Sequence, residues 1–550
     1  MTPPPWPLPA QALRRQAQLH PVLLPAPWLA APALPLAEAL MEVLAVSLAE
    51  VLPPARHKKK LFAVAAAALL LLVLLGFGVY RWRSASSASG IDSLAVLPFT
   101  NASTDPNSEY LSDGLTESLI SSLSQLPNLI VRPRSSVFRY KSKDEDIQKI
   151  AGELHVAAVV TGRVMQHGDS LNVSAELIDT RNNRSLWSDQ YDRRLSDALN
   201  VQREISAEIS THLCEKLTGE EKKRLSKDGT DDPEAYQLYL RGRYYWDKRT
   251  PESLAKSKDY FQQAIDKDPG YVLAYVGMAE YYFVLPDYTY APQAETEPKL
   301  KAAASKALSL DDSQAEAHAL LATAYDNDFE WAAAAREYER ALQLDPNNSR
   351  IHVLYGMHFV PLGKVDECIA QMQRALPLDP LNLNAMTNLG AAEFSARCYD
   401  DAIAQLNKVL EIDPDYGSAY DFLSLVYEDQ GKYDLWLDNA EKSATINKDT
   451  DRLALLKAAR AEYARAGYRA ASKRMAEVLE QQSKRIYIDP MNIAFAYGNL
   501  DDKDKAFFWL EKAFAEKSDL LRATKTARPF DSLRSDPRYA DLLRRMNIPQ

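Results

Sequence analysis

Between residues 91 and 217 the apolar positions switch repeatedly between a two-residue and a 3.6-residue spacing, so strands and helices alternate. SLAVLPF (93–99) is a short apolar run stopped by Pro98 and the turn-rich NASTDPNS. LTESLISSLSQL (115–126) puts Leu115, Leu119, Ile120 and Leu123 on one helical face, with Asp113 placed as its N-cap. NLIVRPR predicts a second strand, DEDIQKIAGELHV (144–156) a helix burying Ile147, Ile150 and Leu154, and AAVVTGRVMQ a third strand. The turns HGD (167–169) and TRNN separate two further alternating strands, LNVSAELID (171–179) and RSLWSDQYD (184–192). Val201, Ile205, Ile209 and Leu213 mark a closing helix. The order β-α-β-α-β-β-β-α predicts a small α/β domain with a mixed sheet. Asn101, Ser103, Asp105 and Pro106 read as turn formers and Asp113-Gly114 as a helix start, with a ligand-binding loop as the competing reading.

From 233 to 520 the pattern is helical throughout and repeats. QLDP, PLDP and EIDP place Pro346, Pro380 and Pro414 34 residues apart, the period of tetratricopeptide (TPR) repeats. Leu321, Ala322, Tyr325, Ala334, Tyr338 and Ala341 occupy the small or aromatic positions where paired helices touch. Tyr355, Gly356, Phe359, Cys368, Met372 and Ala375 repeat them, followed by Leu389, Gly390, Ala402 and Leu406. Each proline closes a second helix before the next pair begins. Pro269 ends an earlier unit, Asp312 stands where the period expects a proline, and a nine-residue insertion surrounds PDYTYAPQAETEP. The last clear pair is 488–514, giving seven or eight pairs, and RPFDSLRSDPRYADLLRRMNIP reads as a polar cap. Such an array offers a concave face to a peptide. Positions two, five, nine and twelve of the units nominate Glu316, Thr323, Arg350, Met357, Asn384, Thr387, Phe394, Asp421 and Glu428 as its lining, against plain solvated surface as the alternative. The Lys/Asn pattern of chaperone-tail binders is absent from these positions.

A third pattern lies upstream. LFAVAAAALLLLVLLGFGVY (61–80) is twenty residues without a charge, enough to cross a bilayer as one helix. Arg56, Lys58, Lys59 and Lys60 precede it and only Arg81 and Arg83 follow closely, which predicts a cytoplasmic N-terminus and places 91–550 outside the cytosol. A cleaved signal peptide starting at Met41 is the alternative. Residues 1–54 hold twelve prolines and predict extended chain, although Leu36, Leu40, Leu44 and Leu48 share one helical face.

Charge sharpens this division. Residues 1–90 carry eight basic and three acidic side chains, so the net −10 of the 550-residue chain becomes −15 over 91–550, which disfavours a nucleic-acid partner. Cys214, Cys368 and Cys398 have no paired-ligand spacing and imply neither a disulfide framework nor a cysteine zinc site. His318 and His352 are 34 residues apart, which favours one helix-packing position used twice over a metal pair. His358 has no second ligand at helical spacing. GMHFVPLGK (356–364) only looks like a phosphate loop, because six residues separate its glycines and Val365 follows the lysine. The acidic runs 144–146 and 501–504 fall at a helix start and a turn. No HExxH, GxSxG or kinase motif set occurs, so neither a catalytic residue nor a cofactor or metal site is expected.

The stretches IDSLAVLPFTNASTDPNSEYLSDGLTESLISSLSQLPNL, ELHVAAVVTGRV and LNVSAELIDTRNNRSLWSDQYDRRL resemble the TolB amino-terminal-like (FlgO-type) domain of bacterial envelope proteins. That resemblance implies an interaction or sensing module without catalysis. Membrane span, TolB-like domain, repeats and the tail FDSLRSDPRY together resemble the exported half of proteins whose cytoplasmic output domain is a serine/threonine kinase, a CadC-type winged helix or a nucleotide cyclase. The expected organisation is a proline-rich segment (1–60), a transmembrane helix (61–80), an α/β domain (91–217), an all-α TPR solenoid (233–520) and a cap (521–550). The expected function is a membrane-anchored, non-enzymatic scaffold or sensor binding a protein or peptide in the envelope. The alternative is a signalling receptor that has lost its output domain.

Overall fold

The computed structural model describes residues 91–213 and 229–548 apart from positions 104, 106, 107, 127, 128, 144, 290 and 292. The expected proline-rich segment, the span at 61–80 and Cys214 lie outside the described residues. Among the described residues no helix is long and apolar enough to cross a membrane.

The first domain is a mixed sheet with helices packed on it. Strand β1 (Ser93–Val96) pairs in parallel with β3 (Ile130–Val131) and β4 (Ala158–His167). Strands β4, β5 (Ser170–Asp179) and β6 (Arg184–Arg194) continue antiparallel, and the short β2 (Thr100–Asn101) also pairs with β4. Alternation decides the register: Leu171, Val173, Ala175 and Leu177 of β5 are buried while the residues between them are half exposed. Helix α1 (Glu109–Ser124) buries Leu115, Leu119, Ile120 and Leu123. It begins earlier than the periodicity predicts, so Asp113 is not its N-cap. That carboxylate sits in the second turn, buried, and accepts a hydrogen bond from Lys141 Nζ at 2.7 Å. A four-residue helix, α2 (Arg134–Val137), follows β3, and α3 (Ile147–Leu154) starts at Asp146, whose side chain accepts from the Gln148 amide. Helix α4 (Ala198–Leu213) closes the domain.

Among the described residues eight helix pairs then follow, from Pro233–Asp247 with Pro251–Lys267 to Pro490–Asn499 with Lys503–Ala515. Chain chemistry sets where the second helices end. An X-Pro bond pushes the preceding residue out of the α region, and Asp268, Asp345, Asp379 and Asp413 all adopt ψ between 79° and 98° just after a helix end. Close packing explains the glycines: a Cβ on Gly356 would lie 2.7 Å from Met372 Cε, and one on Gly390 2.9 Å from Leu406 Cγ. The insertion is accommodated by lengthening both helices of the second pair to 18 residues, Val272–Thr289 and Gln293–Leu310, with Pro286 and Pro298 inside them.

Sheet domain and solenoid share a core. Tyr236 and Leu240 of the first solenoid helix are buried against α1, and Leu381 packs on the same cluster from the middle of the array. Arg132 joins the two: it donates to the carbonyls of Leu154 and His155 in its own domain and of Pro377 and Leu378 in the array, all at 2.7–2.9 Å. Ser135 and Ser136 donate to Asp379 beside them.

The C-terminal residues do more than present a polar cap. Leu520, Leu521, Phe530, Leu533, Tyr539, Leu542, Leu543 and Met546 are buried. The segment also reaches back to the array's third pair, where Trp331 Nε1 donates to the Met546 carbonyl at 2.8 Å, and beside it the Phe514 ring of the last solenoid helix stacks on Phe329 at 5.9 Å.

Candidate functional site

First helices of successive pairs face a common cavity of about 1580 Å³, closed on one side by residues 515–529. Of the positions nominated from the repeats, Thr323, Arg350, Met357, Asn384, Thr387, Asp421 and Glu428 line it. Phe394 does not. It is buried among Tyr399 and Ala402 of its partner helix and Val426 of the next pair, because an apolar ring gains by leaving solvent where Asp326 and Glu428, at the same point of other repeats, stay on the cavity wall. Glu316 is exposed but lies outside the lining of the cavity.

Several of the nominated side chains are already engaged. Glu280, 1% exposed, is paired with both Arg243 and Arg350, and Arg243 also pairs with Glu117 of α1. Burial opposes ionisation of Glu280, but the two guanidinium groups outweigh it and hold its carboxyl low. This chain of charges ties the sheet domain to the first, second and fourth helix pairs. Asp421 pairs with Arg452 at 2.6 Å, and Tyr468 OH donates to Glu428 Oε1 at 2.9 Å. Thr323 Oγ1 lies 3.1 Å from Tyr338 OH.

The remaining chemistry comes from Asp287, Glu297 and Arg522, outside the period, and from Asp326, which holds position twelve of its unit. Asp287 and Glu297 flank the insertion, and Asp326 ends the first helix of the third pair. Burial raises the Asp287 carboxyl to about 6 and the Glu297 carboxyl to about 7. Glu297 is 5% exposed; its Oε2 accepts from Asn327 at 2.7 Å, while its Oε1 has no hydrogen-bond partner. Arg522, from the C-terminal segment, enters the cavity wall beside these groups. Burial depresses its guanidinium against the attraction of Asp326, Asp287 and Glu297. It is held locally by Asp519, while Arg528 donates to Asp429 at 2.9 Å and Arg397 to Asp531 at 2.9 Å.

Three comparisons bear on this arrangement. A family model described as the second domain of HilA/YgeH-like transcriptional regulators matches residues 89–208, a different description from the TolB-like one that the motifs imply. The chain is 34% identical over 252 residues to putative adenylate cyclase 3 of Rhizobium meliloti, covering 45% of this chain and 42% of that protein. It is 22% identical over 276 residues to the transcriptional regulator HilA of Salmonella typhimurium, covering 50% and 48%. The chain thus spans less than half the length of these curated relatives. Among solved structures, YrrB, a TPR protein with an unusual peptide-binding site, is 22% identical with TM-score 0.26 over 36% of this chain and 97% of that one. PilW, a type IV pilus biogenesis factor, is 15% identical with TM-score 0.34 over 40% and 96%. The chain is a mixed-sheet domain followed by a TPR-like solenoid.

The histidines show how the repeat disposes of apparent chemistry. His318 Nδ1 lies 2.6 Å from Glu337 Oε2 and its Nε2 3.0 Å from the Asp312 carbonyl. His352 makes the same two contacts one period later, with Gln371 Oε1 at 2.8 Å and the Pro346 carbonyl at 3.1 Å. Both rings therefore join the two helices of a pair. His358 Nδ1 lies 2.6 Å from Asp326 Oδ1. Among the described residues no three His, Cys, Asp or Glu side chains are grouped to hold a metal ion. Residues 356–364 form the end of the Ser349–Phe359 helix and its turn.

Sequence reasoning missed Asp287, Glu297, Asp326 and Arg522, although Asp326 stands at position twelve of its unit, in register with Phe394 and Glu428. The signal available for the first two was the insertion itself, since residues that interrupt a packing period are released from packing. For Arg522 the chain held no comparable signal.

Proposed function

We propose that this chain is a non-enzymatic interaction scaffold or sensor whose solenoid holds a protein or peptide segment on its inner face. The observation that supports it most is the cavity of about 1580 Å³ built mainly from side chains of successive first helices, with second helices and the C-terminal segment completing its wall. It has an extended, mixed polar and apolar wall, the chemistry suited to a peptide. A photo-cross-linking residue at Asn384 tests it in a selection of displayed random peptides. Selected peptides should cross-link there and be lost on Met357→Arg; cross-links confined to the outer helices would refute the reading.

The membrane anchor belongs to the same proposal. Its support is the uncharged run 61–80 with the basic cluster before it, which would put 91–550 outside the cytosol, in the envelope. A reporter fused after Gln550 that is active only in the cytosol would refute this topology.

A second reading draws on the relatives, named as a transcriptional regulator and a putative adenylate cyclase and matched over less than half their length. In it, this chain is the regulatory part of a signalling protein whose output lies elsewhere. Kinase, winged-helix or cyclase codons read upstream of Met1 in any frame would favour it over the scaffold.

A further inference from the structure

The charges around the cavity are unequal. Eleven of its described lining residues are carboxylates and five are cations. Four of the five cations already have partners: Arg350 with Glu280, Arg452 with Asp421, Lys517 with Asp328 and Arg522 with Asp519. On the acidic side, Glu297 is 5% exposed with Oε1 unpartnered, and Asp287 shares its surroundings near Arg522. An ionised carboxylate enclosed by protein and short of a hydrogen-bond donor is costly unless a cation or donor meets it. The C-terminal segment supplies an internal precedent, because DLLRATKTARPF, half apolar and half polar, brings Arg522 to this wall and Arg528 to Asp429.

We propose that the interior of the array takes an arginine- or lysine-bearing segment of a partner protein, one of whose cations is seated against Glu297 and Asp287. This inference rests on the peptide-binding reading above and adds the chemical class of the ligand. Acidic walls draw in a cationic segment from solution, and the buried Glu297 then discriminates it from a neutral one through its unmet carboxylate oxygen. The apolar remainder of the cavity gives the same segment its area contact.

Fluorescence anisotropy on the full chain tests this with three labelled twelve-residue probes: Arg/Leu/Ser, Glu/Leu/Ser and Gln/Leu/Ser. The cationic probe should bind at least tenfold more tightly than either of the others. Asp287→Asn with Glu297→Gln should weaken it at least fivefold. Asp266→Asn with Glu411→Gln removes the same charge from exposed positions on two second helices and should change binding less than twofold. Equal weakening by both double variants would overturn the proposal, since bulk charge would then account for the affinity. The single variant Glu297→Gln, with its melting curve, guards against misfolding: a fully folded variant with unchanged cationic affinity also overturns it. Binding of the neutral or acidic probe that is lost on Met357→Arg, with no cationic preference, would sink this inference and leave the peptide reading standing. No binding of any probe would sink both.

Discussion

The regular repeats between residues 313 and 446 and the irregular stretches on either side of them build the same cavity in different ways. The repeats place side chains by period: His318 and His352 make matching contacts, and Met372 and Leu406 each fill the space beside a glycine of the facing helix. The stretches at 286–298 and 516–534 follow no period, yet they bring Asp287, Glu297 and Arg522 to the wall and Arg528 to Asp429 behind it. Repetition thus makes a surface, and departures from repetition give it charge and closure. Residues freed from packing can carry unmet polar groups that a repeated position would have to satisfy in every unit.

The largest test of this contrast is Phe394→Ala, which deletes a ring buried between its partner helix and the first helix of the next pair. Denaturant unfolding should show a loss of about 3–5 kcal/mol. A loss under about 1 kcal/mol would mean that the ring faces the cavity. Next, Arg132→Ala removes the donor to four carbonyls at the joint between sheet domain and array. It should cost about 2–3 kcal/mol and speed amide exchange at residues 378–383, while exchange around 417–446 stays unchanged.

Glu297→Gln is expected to act in the opposite direction. Its folded carboxyl titrates at about 7 against 4.5 for the unfolded chain, so the native state binds more protons between those values and ionisation erodes stability as pH rises through that window. Asn327, Asp328, Lys301, Lys517 and Arg522 are the polar and charged groups facing it. The full cost, on the order of 3 kcal/mol above pH 7, should be partly recovered in the variant as about 1–3 kcal/mol at pH 8 and vanish near pH 4. An equal effect at both pH values would contradict this origin. The smallest effect belongs to His352→Gln, expected to cost about 1 kcal/mol through lost helix-pair contacts without altering metal uptake, read by calorimetric titration with zinc.

Much of the architecture was legible because packing repeats. The 34-residue spacing of Pro346, Pro380 and Pro414 locates helix ends since each proline forces the preceding aspartate out of the helix. Strand alternation located β4, β5 and β6 almost to the residue. Asp113 misled because an aspartate before an apolar face looks like a cap, whereas Tyr110 and Leu111 start the helix a turn earlier and the carboxylate is recruited by Lys141. The insertion around PDYTYAPQAETEP left its conformation open, and both Pro286 and Pro298 are absorbed into long helices. The cap looked polar because its arginines and aspartates are conspicuous, while Phe530, Leu533, Leu542 and Leu543 do the packing. Contacts such as Trp331 to Met546, 215 residues apart, leave no local pattern to read.

Hydrogen exchange on the full chain with and without the Arg/Leu/Ser probe tests the central claim most directly. Slowed exchange in the first helices 315–327, 349–359 and 383–395, together with residues 519–523, is the predicted result. Protection confined to the sheet domain or to second helices other than Gln293–Leu310, which carries Glu297, would contradict it.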